Sequence, residues 1–494
     1  MPKKVVIVVA VVVLAVIGAS IGYFATRGSS TETSNASGTN GSRSSNSTAS
    51  GPKGSSRGAS NLDFTNTSAA NEDKVVSKVT TDPTGQSYKL SAFAIGDWGA
   101  TTYSKNGSCC TRRKDHAFNA FDRHAEAGVA KLMGMRATVQ KPKVVLGHGD
   151  NFYWAGILGD TDQKYRFDHT FESKYDAKSL LDVTWVNVMG NHDYGGGSYV
   201  CSDGSDNVQC GSTAELMTAL KTRFTLQAGY KSPNNDRWKL TDHFYVHTIK
   251  DGDVSIDIFN VDTNDADTHA ADQICCQCYG YSEGDDGKTC KTITRGHKWC
   301  AGGDTGMYDT CMKQFREWGD EAKSKLAEAV KKSTATWKIV NSHYSPYNHY
   351  GGDNAAKWMD HLKDIKDIQV WINGHTHGEK HDFAAGHNMH FIENGAGGGI
   401  QSESASGIPD YAKGWVKNVW TGGGLNDGVM DGNTYGFFEL AASKTWLKVS
   451  FFTFDDKWKL TKDDDGLESG TIGGVVAKHC WYIPVDGTAG KKCT

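Results

Sequence analysis

Short apolar runs that stop at glycine or at polar side chains recur along the chain and predict the strands of an α/β sheet. Five such runs are Ala92–Ile95, Val144–Leu146, Val183–Met189, Trp337–Asn341 and Val370–Ile372. Each run is followed at once by Asp, Asn, Tyr or His side chains. Ligands of open α/β sheets bind at the carboxyl ends of the strands, so the pattern predicts one functional site at that edge.

Apolar residues at steps of three and four predict two amphipathic helices. One lies between the first two strands, and the other runs from about Met312 to Lys331. The buried faces are expected to be Phe118, Phe121, Ala125, Val129 and Leu132 in the first helix, and Phe315, Trp318, Ala322, Leu326 and Ala329 in the second. A strand, a helix and a strand of this length predict a βαβ unit.

Three later runs also predict strands. His390–Asn394 is one, and Tyr435–Leu440 with Trp446–Phe454 alternates in polarity as an antiparallel hairpin does. We expect these strands to complete the second sheet of a β-sandwich flanked by helices. Beyond about Thr461 the chain is rich in Gly, Asp and Lys, and we predict that residues 461–494 form a C-terminal tail.

The N-terminal region predicts entry into the secretory pathway. Val5–Ala25 carries no charge and is long enough to cross a bilayer, and Lys3 and Lys4 precede it. We predict a transmembrane signal anchor over residues 1–27 with the rest of the chain outside; a cleaved signal peptide is the alternative. Residues 28–87 predict a flexible Ser/Thr/Gly-rich stalk. Asn-X-Ser/Thr sequons begin at Asn35, Asn40, Asn46, Asn66 and Asn106.

Composition and cysteine content narrow the possible partners and the cellular compartment. The chain has 494 residues, a net charge of −4 and 38% hydrophobic residues, which suffices for a large core and gives no basic excess for nucleic acid. The 12 cysteines predict disulfides in an oxidising compartment. We expect Cys201 to pair with Cys210 and Cys480 with Cys493. A Cys-rich insertion, 264–311, is a decorated loop or a lid, and a structural zinc cluster is its alternative.

The side chains after the strands are those of a metal centre. Carboxylates and a phenolate are hard anionic ligands for a high-valent iron, whereas imidazoles and an amide oxygen suit a divalent ion. This mixed set of ligands therefore suits two metal ions better than one. A trivalent and a divalent ion would outweigh the negative charge of Asp97, Asp150 and ionised Tyr153, so the centre would attract a phosphate.

At these positions the chain resembles the purple acid phosphatases, and most closely their tartrate-resistant branch within the calcineurin-like metallophosphoesterases. The motifs that carry the resemblance are Gly96-Asp97-Trp98-Gly99, Gly149-Asp150-Asn151-Phe152-Tyr153, Gly190-Asn191-His192-Asp193, His343 and Gly374-His375-Thr376-His377. The tyrosine three residues after the aspartate is the specific mark. The expected fold is α/β, a four-layer αββα sandwich in which helices flank two mixed β-sheets and a dinuclear metal site lies at the carboxyl edge of the strands. The catalytic domain is expected over residues 88–460.

The resemblance implies a role for each site residue. Iron(III) would be held by Asp97, Asp150, Tyr153 and His377, and iron(II), zinc or manganese by Asp150, Asn191, His343 and His375. A metal-bound hydroxide would attack phosphomonoesters in an extracytoplasmic acid phosphatase. His192 would face the phosphate and protonate the leaving alcohol, and Asp193 would orient His192. His349 is the candidate for a further substrate histidine, although the loop before it is shorter than in the tartrate-resistant branch.

Several alternatives remain open at this point. The same fold serves phosphodiesterases and nucleotide pyrophosphohydrolases, an iron pair permits peroxide chemistry, and a non-enzymatic cell-surface protein would be expected to have lost a ligand. His148 and His381 are further candidates for the rim of the site. Trp98 is interpreted as a packing residue beside Asp97. The oligomeric state is unknown.

Overall fold

Two β-sheets pack face to face and bring the predicted strands together. The structure is a computed structural model that describes residues 80–100, 120–196, 199–204, 207–278, 293–350, 357–400, 402–422, 435–460 and 470–493. Its strands are β1 (Leu90–Ile95), β2 (Val144–Gly147), β3 (Thr184–Asn187), β4 (Cys201–Ser202), β5 (Asn207–Val208), β6 (Trp238–Lys239), β7 (Phe244–Asp251), β8 (Val254–Val261), β9 (Trp337–Ser342), β10 (Val370–Asn373), β11 (Glu379–Ala384), β12 (Met389–Asn394), β13 (Val416–Thr421), β14 (Gly436–Ala442), β15 (Trp446–Phe454), β16 (Lys459–Leu460), β17 (Gly470–Thr471), β18 (Val475–Pro484) and β19 (Lys491–Lys492).

The helices flank the sheets. They are α1 (Ala120–Gln140), α2 (Asp160–Arg166), α3 (Thr213–Ala228), α4 (His269–Cys276), α5 (Thr305–Lys332) and α6 (Lys357–Lys363). A π-helical turn continues α2, and a 3₁₀ turn precedes α5. Helix α5 begins earlier than predicted because the Asp304 side chain caps it by accepting a hydrogen bond from the Met307 N–H.

Both sheets are mixed. The eight-stranded sheet has the order β19-β18-β15-β14-β1-β2-β3-β6, with β1, β2, β3 and β6 parallel. The seven-stranded sheet has the order β13-β11-β12-β10-β9-β8-β7, with β8, β9, β10 and β12 parallel. The predicted hairpin exists as β14 and β15, but the prediction of its sheet was wrong. It pairs with β1 and so extends the first sheet, not the second.

Successive side chains along a strand point to opposite faces of its sheet, and this alternation produces the four predicted layers. On β1, Ala92 and Ala94 face the second sheet, where they pack with Ile258 on β8. Phe93 and Ile95 point the other way, into a cluster with Val129 and Leu132 of α1. On the far side, Phe259 and Val261 of β8 pack against Ala322 and Leu326 of α5. The αββα sandwich is therefore confirmed.

The predicted C-terminal tail contributes to the first sheet. Strand β18 pairs with β15 along its whole length, and β19 pairs with β18. The sequence signal was weak here because β18 mixes polar and apolar positions at the sheet edge. At the other end of the catalytic domain, Asp82 in the last part of the predicted stalk accepts hydrogen bonds from Ser443 and Thr445.

Disulfides account for the described cysteines. Cys201 pairs with Cys210 and Cys480 with Cys493, as predicted. In the insertion, Cys275 pairs with Cys311 and Cys276 with Cys300, so the zinc-cluster alternative is wrong for these four residues. Within the described ranges, no helix is long and apolar enough to cross a membrane. The predicted anchor Val5–Ala25, the sequons, Phe118 and the pair Cys109-Cys110 lie outside those ranges.

A chain of three buried histidines joins the two sheets. His390 Nε2–H donates to the Thr488 carbonyl at 3.0 Å, which leaves Nδ1 to accept from His381 Nε2–H at 2.8 Å. His381 Nδ1 then accepts from His479 Nε2–H at 2.9 Å. Because His390 and His381 each accept a hydrogen bond at Nδ1, both of these rings are neutral. Burial lowers the pKa of His390 and of His479 to about 4, and it lowers the pKa of His381 further with help from the two neighbouring rings.

These histidines predict a loss of stability in acid. Unfolded histidines bind a proton below about pH 6.5, but the folded rings resist it until about pH 4, so stability falls across that window. Each of them should lower the free energy of unfolding by about 1.4 kcal/mol per pH unit. The His479→Gln variant keeps an N–H donor and does not titrate. Urea unfolding at pH 7 and pH 5 should therefore show a smaller loss for this variant, and equal losses would contradict the account.

Candidate metal centre

The seven predicted metal ligands converge at one edge of the sandwich. Asp97 follows β1, Asp150 follows β2 and Asn191 follows β3, while His343 follows β9 and His375 follows β10. The first three arise from the eight-stranded sheet and the last two from the seven-stranded sheet. The site therefore exists only because the two sheets stack with their parallel strands ending at the same edge.

One group of donors gathers around Tyr153. Its hydroxyl lies 3.0 Å from Asp97 Oδ1 and 3.4 Å from His377 Nε2, and His377 Nε2 is 3.8 Å from Asp97 Oδ1. On its other side, His377 Nδ1 lies 3.3 Å from the carboxylate of Glu403. This is an ion-pair distance, since His377 Nδ1 makes no aligned hydrogen bond among the described residues. Sequence reasoning missed Glu403, because no local pattern places it beside a residue of a distant strand.

A second group gathers around Asn191. Its Oδ1 lies 3.0 Å from His343 Nε2 and 3.1 Å from His375 Nδ1, and His343 Nε2 is 3.6 Å from Asp150 Oδ1. His343 Nδ1–H donates to the His148 carbonyl at 2.8 Å, so in the neutral ring Nε2 carries a lone pair. A lone pair then faces an amide oxygen and a carboxylate. A cation placed between the imidazole nitrogen, the amide oxygen and the carboxylate could be coordinated by all three, so the residues fit a metal.

The electrostatics also fit bound cations. Asp97, Asp150 and His343 offer ligand atoms that all lie within 4.8 Å of one another, and all three residues are buried. Burial and the Asp150 carboxylate raise the pKa of Asp97 well above its ordinary value. Burial and the same two carboxylates raise the pKa of Tyr153 as well, so its phenol ionises only if a nearby positive charge offsets them.

The backbone is strained at three of the predicted ligands. Asp97, Asp150 and His375 have φ values of 54°, 49° and 73°, in the left-handed region that non-glycine residues rarely adopt. Such conformations persist only where the surroundings impose them, and they cluster at functional sites. Each of them lets the chain turn at the end of a strand while its side chain points into the site.

His192 lies beside the first group of donors. Its Nδ1–H donates to the Trp154 carbonyl at 2.5 Å, its ring centroid lies 4.6 Å from that of Tyr153, and its backbone N–H donates to Asp150 Oδ1 at 2.9 Å. Burial lowers the pKa of this imidazole. The carbonyl fixes the tautomer and so leaves Nε2 as the nitrogen able to exchange a proton.

Asp193 makes its hydrogen bonds to the loops around His192. Its carboxylate accepts hydrogen bonds from the backbone N–H groups of Gly190, Asn151 and Phe152 and from the Gln227 side chain. It therefore ties the loop after β2 to the loop after β3, which carries His192, while the Trp154 carbonyl holds the imidazole itself. That Asp193 orients His192 stays a prediction. Burial and the nearby Asp150 carboxylate raise the pKa of Asp193 to about 7.

The remaining candidate residues lie in different places, and not all of them are at the site. His349 reaches the site, with its ring centroid 4.7 Å from that of His375. His148 contributes through its carbonyl, while its Nδ1 lies 2.6 Å from Asn341 Oδ1. His381 belongs to the buried histidine chain between the sheets. Trp98 is fully buried and packs against several aromatic rings, as its interpretation as a packing residue requires.

Residues 91–379 match the family model described as calcineurin-like phosphoesterase. Purple acid phosphatase 3 of Arabidopsis thaliana is 24% identical over 74% of this chain and 74% of its own length. Tartrate-resistant acid phosphatase type 5 of the rabbit, Oryctolagus cuniculus, is 32% identical over 22% of this chain, and the match spans only 29% of the rabbit protein. Among solved structures, GAP50, the anchor in the inner membrane complex of Plasmodium, aligns over 79% of this chain and 90% of its own at 14% identity and a TM-score of 0.42.

The close approach of Gly190 to Asp150 yields a prediction about metal affinity. A Cβ at position 190 would lie 2.1 Å from Asp150 Oδ1 and 2.3 Å from the Asp150 backbone nitrogen. Because the backbone cannot yield at this turn, Gly190→Ala should displace the Asp150 carboxylate and weaken metal binding by roughly 10- to 100-fold. Elemental analysis after dialysis measures the loss. Gly414→Ala is the control, since its Cβ meets nothing within 4 Å, and equal metal contents in both variants would refute the prediction.

Proposed function

The chain belongs to the calcineurin-like phosphoesterase family, and from this premise we propose that it is an acid phosphatase that hydrolyses phosphomonoesters at a dinuclear Fe(III)–M(II) centre. The observation that carries the proposal is the pair of donor groups, one around Tyr153 and one around Asn191, with the Asp150 carboxylate available to both. The phenol in the first group separates this site from a set made only of carboxylates, amides and imidazoles.

The donor chemistry supports a different ion in each group. Asp97, Tyr153 and His377 supply anionic oxygens and one imidazole, which suit iron(III). Asn191, His343 and His375 are neutral and suit iron(II), zinc or manganese. Asp150 Oδ2 has no hydrogen-bond partner among the described residues, so the carboxylate has capacity for a second bond. When bound, the two ions would supply a nucleophile and neutralise charge on the phosphoryl oxygens.

His192 is placed to handle the proton of the leaving group. The Trp154 carbonyl holds Nδ1–H, so protonation must occur at Nε2. Burial disfavours the imidazolium in the free protein, whereas the negative charge of a bound phosphate would favour it. The proton would therefore be taken up together with the substrate. The Asp150 carboxylate, which accepts the His192 backbone N–H, fixes where the residue sits.

An extracytoplasmic setting is part of the proposal. The disulfides Cys201–Cys210, Cys275–Cys311, Cys276–Cys300 and Cys480–Cys493 are typical of proteins that fold in the secretory pathway. Anchorage through residues 1–27, or secretion after signal cleavage, follows from the sequence alone. The substrates are phosphomonoesters, and nucleic acid is not an expected partner.

Leaving-group dependence tests the proposed function. The purified protein should hydrolyse phenyl phosphate and p-nitrophenyl phosphate and retain activity in acid, because a trivalent ion lowers the pKa of bound water further than a divalent ion does. His192→Asn should lose roughly 100-fold in kcat on phenyl phosphate, whose leaving group needs a proton. The loss on p-nitrophenyl phosphate should be far smaller.

His169→Asn is the matched control, because His169 lies on α2's π-helical continuation and its ring contacts the Tyr165 carbonyl. It should behave as the parent does. Faster hydrolysis of bis(p-nitrophenyl) phosphate than of the monoester, or an optimum above neutrality, would instead favour a phosphodiesterase with two divalent ions.

A further inference from the structure

The hydroxyl of a threonine next to two predicted metal ligands in the chain contacts His349. Thr376 stands between His375 and His377 in the chain, and its Oγ1 is 2.9 Å from His349 Nε2. The ring of His349 also meets that of His375 edge to face, at a centroid distance of 4.7 Å and an interplanar angle of 79°. The family resemblance drew attention to the histidines alone, so Thr376 was not a candidate.

The hydrogen bonds fix the direction of this contact. The backbone N–H of Ser345 donates to His349 Nδ1 at 3.0 Å, so Nδ1 bears the lone pair and the proton of the neutral ring is on Nε2. Nε2–H must therefore donate, and Thr376 Oγ1 must accept. A hydroxyl that accepts one hydrogen bond keeps its own O–H for another acceptor.

The loop that carries His349 also holds its ring in place. His349 lies four residues after Ser345, and the Ser345 N–H holds the ring back against its own loop. Tyr344, which precedes this loop, is buried, and its ring lies 4.5 Å from that of His375. The imidazole is thus fixed on both sides, by a backbone donor at Nδ1 and by the threonine at Nε2.

We propose that Thr376 Oγ–H is the hydrogen-bond donor to the substrate phosphate at this side of the site, and that His349 is a positioning residue that acts through it. The inference rests on the proposed function. Each hydrogen bond would be donated toward the phosphate, in the order Ser345 N–H, His349 and Thr376 O–H. Hydrogen bonds aligned in this way polarise one another. Thr376 is half-exposed between two ligands, which leaves a phosphate room to approach its hydroxyl.

The test uses Thr376→Val, which keeps the shape and removes the hydroxyl, and Thr376→Ser, which restores it. Thr376→Val should raise KM and the inhibition constant of inorganic phosphate by roughly 10-fold, since a hydrogen bond to a charged group is lost, while kcat changes little. Thr376→Ser should recover most of the loss. Thr138→Val is the control, because the Thr138 hydroxyl donates a hydrogen bond to the Gly134 carbonyl within α1. Metal content should be equal in all variants.

A double substitution separates the two residues. If His349 acts through the hydroxyl, His349→Ala should weaken phosphate binding in the parent but add little to Thr376→Val. Additive losses, an unchanged phosphate affinity in Thr376→Val, or loss of metal from that variant would each overturn the proposal. Calorimetry of inorganic phosphate binding to the metal-loaded protein measures the effect without turnover. An inactive parent that still binds phosphate through Thr376 would refute the proposed phosphatase function and leave this inference standing.

Discussion

The structure depends on one electrostatic constraint: several anionic and lone-pair groups are buried together at one edge of the sandwich. Asp97 and Asp150 carry carboxylates with almost no exposure, and the Tyr153 phenol lies between them and His377. An uncompensated charge costs several kcal/mol in such surroundings. The protein can satisfy it with protons, as the raised pKa values of Asp97 and Tyr153 indicate, or with cations. Compensation by protons would leave the site inert, whereas compensation by cations would make it reactive.

The fold holds these buried groups in fixed positions. Two sheets present their parallel strands to the same edge, and left-handed residues turn the chain at Asp97, Asp150 and His375. Asp193 joins two of the loops with three hydrogen bonds and accepts a fourth from Gln227 on α3, and glycines leave room where the loops touch. The chain of His381, His390 and His479 holds the sheets together farther along the sandwich. Strain at the predicted ligands is thereby opposed by a large packed core.

Much of this could be predicted from the sequence, for definable reasons. The strands that precede the predicted ligands are short apolar runs that end at glycine or at polar side chains, and a buried strand leaves that local pattern. Sheet membership of the hairpin β14–β15 could not be predicted, because pairing with β1 is a long-range choice that alternation does not encode. The contact of Glu403 with His377, the Thr376–His349 bond and the tautomer set by Trp154 depend on loops that fold back over the site. The hydrogen bonds of Asp193 could not be predicted either, because its carboxylate bonds to the backbone of two loops that are far apart in the chain.

The most direct test of a tyrosine-bound iron is the visible absorption spectrum of the purified protein beside that of Tyr153→Phe, with metal analysis of both. The account predicts iron together with a second metal and a purple tyrosinate-to-iron band in the parent, and the loss of that band in the variant. A colourless parent that holds two divalent ions would contradict iron(III) at Tyr153 and would make the protein an ordinary divalent metallophosphoesterase.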